Sequence, residues 1–157
     1  MHQMIDNRKG AHMRLRCLLI SLLIFVTVST ICAASATTYN LQNLGTLGGS
    51  TSSARAISSN GLVAGYSTTA TGATHAFLWQ NGVMQDLGTL GGNMSMACGV
   101  NSKGEVVGWS TTATTGSVPH AFLWRNGAME DLGTLTGQET EALAINDSSQ
   151  IVGYSVV

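Results

Sequence analysis

A chain that repeats one block at a fixed spacing must fold each copy in much the same way, so internal repetition constrains the fold more than any other feature. Leu44-Gly45-Thr46-Leu47-Gly48-Gly49 returns as Leu87-Gly88-Thr89-Leu90-Gly91-Gly92, and again as Leu132-Gly133-Thr134-Leu135-Thr136-Gly137, at offsets of 43 and 45 residues. His75-Ala76-Phe77-Leu78-Trp79 returns as His120-Ala121-Phe122-Leu123-Trp124, again 45 residues on. A third block occurs three times, over 57–67, 100–110 and 145–155. The two-residue difference between the offsets lies between Ser67 and His75 on one side and Ser110 and His120 on the other. An insertion confined to such a Thr/Gly/Ser-rich stretch marks a surface loop. The units are 44–86, 87–131 and a partial 132–157.

Each full unit holds four short strand-like runs and no sustained helical spacing. In the first unit these are A (54–58), B (62–67), C (75–79) and D (83–90). In the second they are 97–101, 105–110, 120–124 and 128–135. Asn81-Gly82 and Asn126-Gly127 stand between C and D. Asn-Gly supplies the two positive φ angles of a type I′ turn, the strongest short signal for a hairpin. Between A and B, 101–104 carries Asn first and Gly104 fourth, as a type I turn prefers. In the first unit 58–61 ends on Gly61, whereas the third unit has Ser149 at that place.

Four antiparallel strands in about 45 residues is the size of a propeller blade. The expected fold is therefore all-β, with propeller-like repeats of four antiparallel strands, about two and a half blades and an incomplete ring. A β-meander or sandwich is the alternative. The stretch 39–47 matches strand D, with Asn43 where Asp86 and Asp131 stand. That strand could pair with the A and B strands of the third unit, yet strand C would be missing. Open edges invite pairing with another chain, and a homo-oligomer is one expectation. A truncated repeat array is the other.

The start of the chain reads differently. Arg8, Lys9, Arg14 and Arg16 precede an apolar run of about 16 residues from Cys17 to Cys32, followed by Ala34-Ser35-Ala36. A basic region, an apolar core and an A-x-A site describe a secretory signal peptide over 1–36, with cleavage after Ala36. The run is short of the roughly 20 residues that a bilayer span needs. A retained anchor helix is the rival, and 1–12 ahead of Met13 could be a start-site artefact. Export to the periplasm or beyond follows, with no stable membrane insertion after cleavage. The remaining domain, 37–157, has three bases against seven acids, a net charge of −4. No basic patch is available for phosphates, which argues against nucleic acid. Cys98 is the sole cysteine of that part, so no intrachain disulfide can form within it.

The His-Ala-Phe-Leu-Trp runs, the Asn-Gly that follows each, the 86–92 run and the 100–110 and 145–155 runs together resemble the bacterial HAF-repeat family of extracellular repeat proteins. The likeness covers nearly all of 37–157. It implies export and a repetitive β-fold, and it implies no activity, substrate or cofactor. Members often carry more copies, and the third copy here has no His-Ala-Phe run.

The C–D hairpin can be registered from its turn. Gln80 faces Val83, Trp79 faces Met84 and Phe77 faces Asp86, which puts His75, Phe77, Trp79 and Asp86 on one face. His75 and Asp86 are then diagonal neighbours. The second unit repeats the set as His120, Phe122, Trp124 and Asp131. A His–Asp acid–base pair is the catalytic reading. Recurrence in every full unit favours the other, a buried polar clip that orients the sheet. Trp79 and Trp124 read as core between units rather than as a sugar platform. Two histidines without a cysteine cluster or close His spacing make no metal site. Asn146-Asp147-Ser148-Ser149-Gln150 lacks the alternating acids of a calcium loop. The glycines of the Leu-Gly-Thr-Leu-Gly-Gly runs open no helix that could hold an anion and read as tight turns. Cys98 aligns with Arg55 and Leu143, so the repeat needs no thiol there. No catalytic, cofactor or metal site is expected. A binding or surface-architecture module with a glycan or protein ligand is, its loops 68–74 and 111–119 forming the rim.

Overall fold

The computed structural model describes residues 3–5, 38–114, 118–135 and 138–156. The expected signal peptide and its cleavage at Ala36 lie outside the described residues, apart from 3–5. The chain divides into two compact bodies, His2–Gln42 and, with Met1, Asn43–Val157. In the smaller body β1 (Gln3–Ile5) pairs antiparallel with β2 (Asn40–Gln42). Of the stretch expected to act as a leading strand D, Asn40–Gln42 forms this short strand β2 and pairs with β1.

The larger body is all-β and repetitive. The first unit is an antiparallel meander of β3 (Gly48–Ile57), β4 (Val63–Thr69), β5 (Thr74–Gln80) and β6 (Val83–Asp86). The second repeats it as β7 (Gly91–Val100), β8 (Val106–Thr112), β9 (Pro119–Arg125) and β10 (Ala128–Gly133). One parallel bridge, Thr74↔Met94, joins the two meanders into an eight-stranded sheet. The third unit is the hairpin β11 (Thr140–Ile145) and β12 (Ile151–Ser155), a separate two-stranded sheet. The sheets remain open. Among the described residues there is no helix, and so none long and apolar enough to cross a membrane.

Two boundaries differ from the expected ones. The fourth strand stops at Asp86 or Gly133 instead of running to Leu90 or Leu135, and the first begins at Gly48 or Gly91 instead of 54 or 97. The physical reason is at the glycines. Gly45, Gly88 and Gly133 take φ of +83°, +72° and +73° and turn the chain out of the fourth strand. The following Gly-Gly pairs are not turns but the start of the next strand. A Cβ on Gly49 or Gly92 would lie 2.3 or 2.2 Å from the Thr68 or Thr111 hydroxyl, so only glycine lets these strands lie so close.

Each first strand carries the same irregularity. The register shifts between Ala54 and Ala56, between Ala97 and Gly99, and between Ala142 and Ala144. Arg55, Cys98 and Leu143 are the extra residues of three equivalent bulges. A glycine faces each bulge: an added Cβ would lie 2.0 Å from the Ser53 carbonyl at Gly65, 1.9 Å from that of Met96 at Gly108 and 2.0 Å from that of Glu141 at Gly153.

The units pack face to face. One cluster joins Leu62, Ala64, Ala76 and Leu78 of the first unit, with Leu87 just past its end, to Ala97, Val100, Val106, Phe122 and Trp124 of the second. A second joins Val107, Ala121 and Leu123 to Ala142, Ile145 and Ile151 of the third. Alternation along each strand gives every unit two apolar faces, one for each neighbour. The Trp and Phe face looks back along the array and the Ala and Leu face looks forward.

Candidate functional site

The hairpin between the third and fourth strands has the register that its turn implied. Asn81 and Gly82 take φ of 50° and 88°, Asn126 and Gly127 take 53° and 82°, and Phe77↔Asp86, Trp79↔Met84 and Gln80↔Val83 are paired. Phe77 and Phe122 are fully buried, and Trp79 and Trp124 nearly so. Trp124 lies in the core between units, as read from the repeat.

His75 and Asp86 meet, with Nδ1 2.9 Å from both carboxylate oxygens, and His120 and Asp131 meet at 3.1 and 3.0 Å. A carboxylate only accepts, so Nδ1 carries the hydrogen in each pair. The same Asp oxygen also accepts from the amide two residues on, Gly88 at 2.8 Å and Gly133 at 2.7 Å. Asn43 does the same to Gly45 at 3.0 Å. The acid therefore holds the glycine bend that ends each fourth strand, and the imidazole fixes the acid. The expectation of a buried clip needs correction in one respect: the His side chains are 22% and 16% exposed and the Asp side chains 43% and 42%. They stand at the rim of the sheet, where the fourth strand ends.

Ser67 and Ser110 face His75 and His120 across the strands. A serine, a histidine and an aspartate thus share a face. Each serine is fully buried. Ser67 Oγ accepts from Leu47 N and donates to the Thr51 carbonyl; Ser110 Oγ accepts from Leu90 N and donates to that of Met94. These hydroxyls tie the Leu-Gly-Thr-Leu segments to the second strands. The sequence signal for them was present, since all three copies of the third block end on serine, but serine alone named no partner.

A second set of residues escaped the sequence reading. Each turn between first and second strands closes by a backbone bond, Gly61 N to Ser58 O, Gly104 N to Asn101 O and Ser149 N to Asn146 O. Ser149 forms the same turn as the glycines, at φ of 61°. Side chains then link the turns of successive units. Asn60 donates to the Ser102 carbonyl at 2.8 Å, Asn101 to that of Asn146 at 3.1 Å, and Ser102 donates twice to Asp147, at 2.8 and 2.7 Å. Ser149 Oγ donates to Glu105 at 2.6 Å. The Ser149 bond, ahead of that from Asn101, holds the Glu105 carboxyl below its ordinary range, and the backbone and side-chain bonds of Ser102 do the same for Asp147. The stretch 146–150 is thus a turn in a polar ladder. Among the described residues no group of three or more His, Cys, Asp or Glu could hold a metal.

The loop edge of the second unit carries a groove of about 800 Å³, whose lining includes Asn93, Met94, Trp109, Thr112 and Pro119. Trp109 is half-buried, unlike Trp79 and Trp124. Its counterparts Tyr66 and Tyr154 keep an aromatic at this place in each unit, and the Arg55 guanidinium sits 5.3 Å from the Tyr66 ring. Cys98 is half-buried, and burial, with the Glu141 charge, pushes its thiol up.

Comparison of the chain with family models, with characterised proteins and with solved structures finds no match.

Proposed function

We propose that this chain is an exported HAF-type β-repeat module that binds a glycan or protein ligand at its loop edge and performs no catalysis. The observation that carries the reading is the contrast between polar groups that are engaged and a groove that is accessible. The repeated polar groups are engaged in folding: His75 and His120 on Asp86 and Asp131, Ser67 and Ser110 on backbone. The aromatic of each second strand is left accessible instead, half-buried as Tyr66 and Trp109 and exposed as Tyr154, and in the second unit Trp109 stands with Met94 and Pro119 beside the loop whose length varies. A groove with an apolar floor and a few polar groups at its margin suits a pyranose face or an extended peptide.

Trp79 and Trp124 are buried, so a ligand in the groove changes the emission of Trp109 above all. The test is titration of the full chain with a panel of oligosaccharides and peptides, read by tryptophan fluorescence, beside the Trp109→Ala variant. Saturable binding lost in that variant supports the groove. Binding that survives both this substitution and shortening of both loops, 68–74 and 111–119, would place the ligand elsewhere. A hydrolytic activity abolished by His120→Gln at unchanged melting temperature would overturn the non-enzymatic reading.

A further inference from the structure

We infer that the groove at Trp109 takes a neutral pyranose chain, which stacks on the indole and hydrogen-bonds to the Asn93 side chain. The inference rests on the binding role proposed for that groove and names its ligand class: sugar rather than peptide, and uncharged rather than charged.

The ring comes first. Tyr66, Trp109 and Tyr154 hold the same place in the three second strands. In the first unit the Arg55 guanidinium lies 5.3 Å from the centre of the Tyr66 ring. Cys98 holds the place of Arg55 in the second unit and brings no guanidinium to the indole. The units also join differently beside it. The bridge Thr74↔Met94 ties the first unit to the second. Pro119 replaces Thr74 one unit on and has no N–H to offer. Among the described residues no bridge joins the second unit to the third there. The groove of about 800 Å³ opens at that place, with Trp109, Met94 and Pro119 among its walls.

An extended peptide is the rival occupant. A peptide laid beside a strand gains affinity from a row of backbone hydrogen bonds. The backbone bordering the groove is already engaged by hydroxyls of the chain itself. Gly91 N donates to Thr89 Oγ1 at 3.2 Å, and Asn93 N and Met94 N both donate to Thr111 Oγ1 at 3.1 Å. The Gly92 carbonyl accepts from Thr89 Oγ1 at 2.8 Å, and that of Met94 accepts from Ser110 Oγ and Thr111 Oγ1, each at 3.2 Å. No row of free donors remains for a strand to join. Recognition falls to ring faces and side-chain groups, which is how a sugar is held.

Charge decides the rest. Neither 91–94 nor 109–119 contains a charged residue. A carboxylate, sulfate or ammonium on the ligand would lose water here and find no opposite charge. The excess of acids over 37–157 disfavours an anion further. A neutral pyranose meets none of these costs. The C–H bonds of its flat face carry slight positive charge and suit the negative face of an indole. Its hydroxyls both donate and accept, as does the amide of Asn93. Asn93 is exposed, and among the described residues its side chain has no partner within the chain.

The probes are β-linked tetrasaccharides of glucose, mannose and galactose, the matching chains of glucuronic acid and of glucosamine, and a short uncharged Thr-Val peptide. Each is added to the full chain and followed by tryptophan emission and calorimetric titration. At least one neutral sugar should bind saturably, and both charged chains about tenfold more weakly or worse than the best neutral one. Trp109→Ala should abolish that binding, whereas Trp109→Phe, which keeps a ring face, should retain most of it. Asn93→Ala should weaken it about three- to tenfold with unchanged melting temperature, the loss of a hydrogen bond from an exposed side chain. Charged chains that bind as tightly as neutral ones, or equal binding by Asn93→Ala, would overturn the inference. So would peptide binding that Trp109→Ala abolishes while no neutral sugar binds, and in that case the groove keeps its binding role. Sugar binding that survives Trp109→Ala, or no binding by any probe, would sink the inference and the role of the groove together.

Discussion

Substitution of Gly108 by alanine is the sharpest test of the fold. Gly108 lies in β8, between β7 and β9, and faces the bulge at Cys98. A Cβ there would lie 1.9 Å from the Met96 carbonyl oxygen and 2.9 Å from Ala97 Cα, whereas real Cβ contacts stay above 3.0 Å. The strands must separate by about 1.1 Å, the difference between the first and last of these distances. Both neighbours are backbone, so no side chain can swing away. Overpacking of this kind costs about 1–3 kcal/mol. Each ladder hydrogen bond stretched in consequence adds about 0.5–1.5 kcal/mol. The sum is about 3–4 kcal/mol, or a fall in Tm of roughly 10–15 °C for a chain of this size. Gly127→Ala is the control. Gly127 has φ of +82° and nothing within 4 Å of the added carbon, so it carries only the left-handed backbone strain of about 1–2 kcal/mol. The assay is thermal unfolding of both variants by far-ultraviolet circular dichroism. If Gly108→Ala melts within a few degrees of the parent, or above Gly127→Ala, the bulge register is wrong. Gly153→Ala meets the same contact, but in a strand that among the described residues is paired on one side only, and should lose less than Gly108→Ala.

Three further outcomes follow from the polar network. Glu105 and Asp147 are held below their ordinary range by bonds made only when folded, so they contribute stability above the unfolded carboxylate range that is lost as pH falls through their folded values. Glu141, raised first of all by burial, acts in the opposite sense. The Glu105→Gln variant should show a shallower fall of Tm between roughly pH 6 and pH 3 than the parent, and an unchanged slope would refute the ladder. Ser149→Gly removes the strain of a positive φ of 61° but also the bonds to Glu105 and Lys103, whereas Ser149→Ala removes only the bonds. The alanine variant should therefore be less stable than the glycine variant by about 1 kcal/mol, read from denaturant midpoints. Cys98, half-buried with a raised thiol, should react with iodoacetamide at neutral pH far more slowly in the native chain than in urea, and equal rates would place it at the surface.

How much of this was legible in advance can be followed residue by residue. Asn81-Gly82 specified its turn and hence the pairing of Phe77 with Asp86, because a two-residue loop leaves no choice of register. The diagonal meeting of His75 and Asp86 came with it. The ends of the fourth strands did not. Leu-Gly-Thr-Leu-Gly-Gly reads equally as strand or turn until it is known that Asp86 bonds the Gly88 amide and that Gly92 is pressed against Thr111. The groove at Trp109 was hidden for another reason. The repeated block puts an aromatic at this place in every copy, Tyr66, Trp109 and Tyr154, and the exposure of each depends on what packs beside it.

What the sequence by itself determined is local and periodic: the number of strands per unit, the turns, the alternation of faces and the kinship of the units. Those properties depend on residues close together in the chain, and two full copies and a partial one state them redundantly. What only the tertiary structure decided is which faces meet and what stays uncovered. Leu87 and Leu132 are the same residue in the same run, yet one is buried and the other half exposed. The difference lies in the neighbouring unit, where Phe122 and Trp124 cover the first and no described strand covers the second. Burial is a property of the packed array, so no reading of a single repeat could have assigned it.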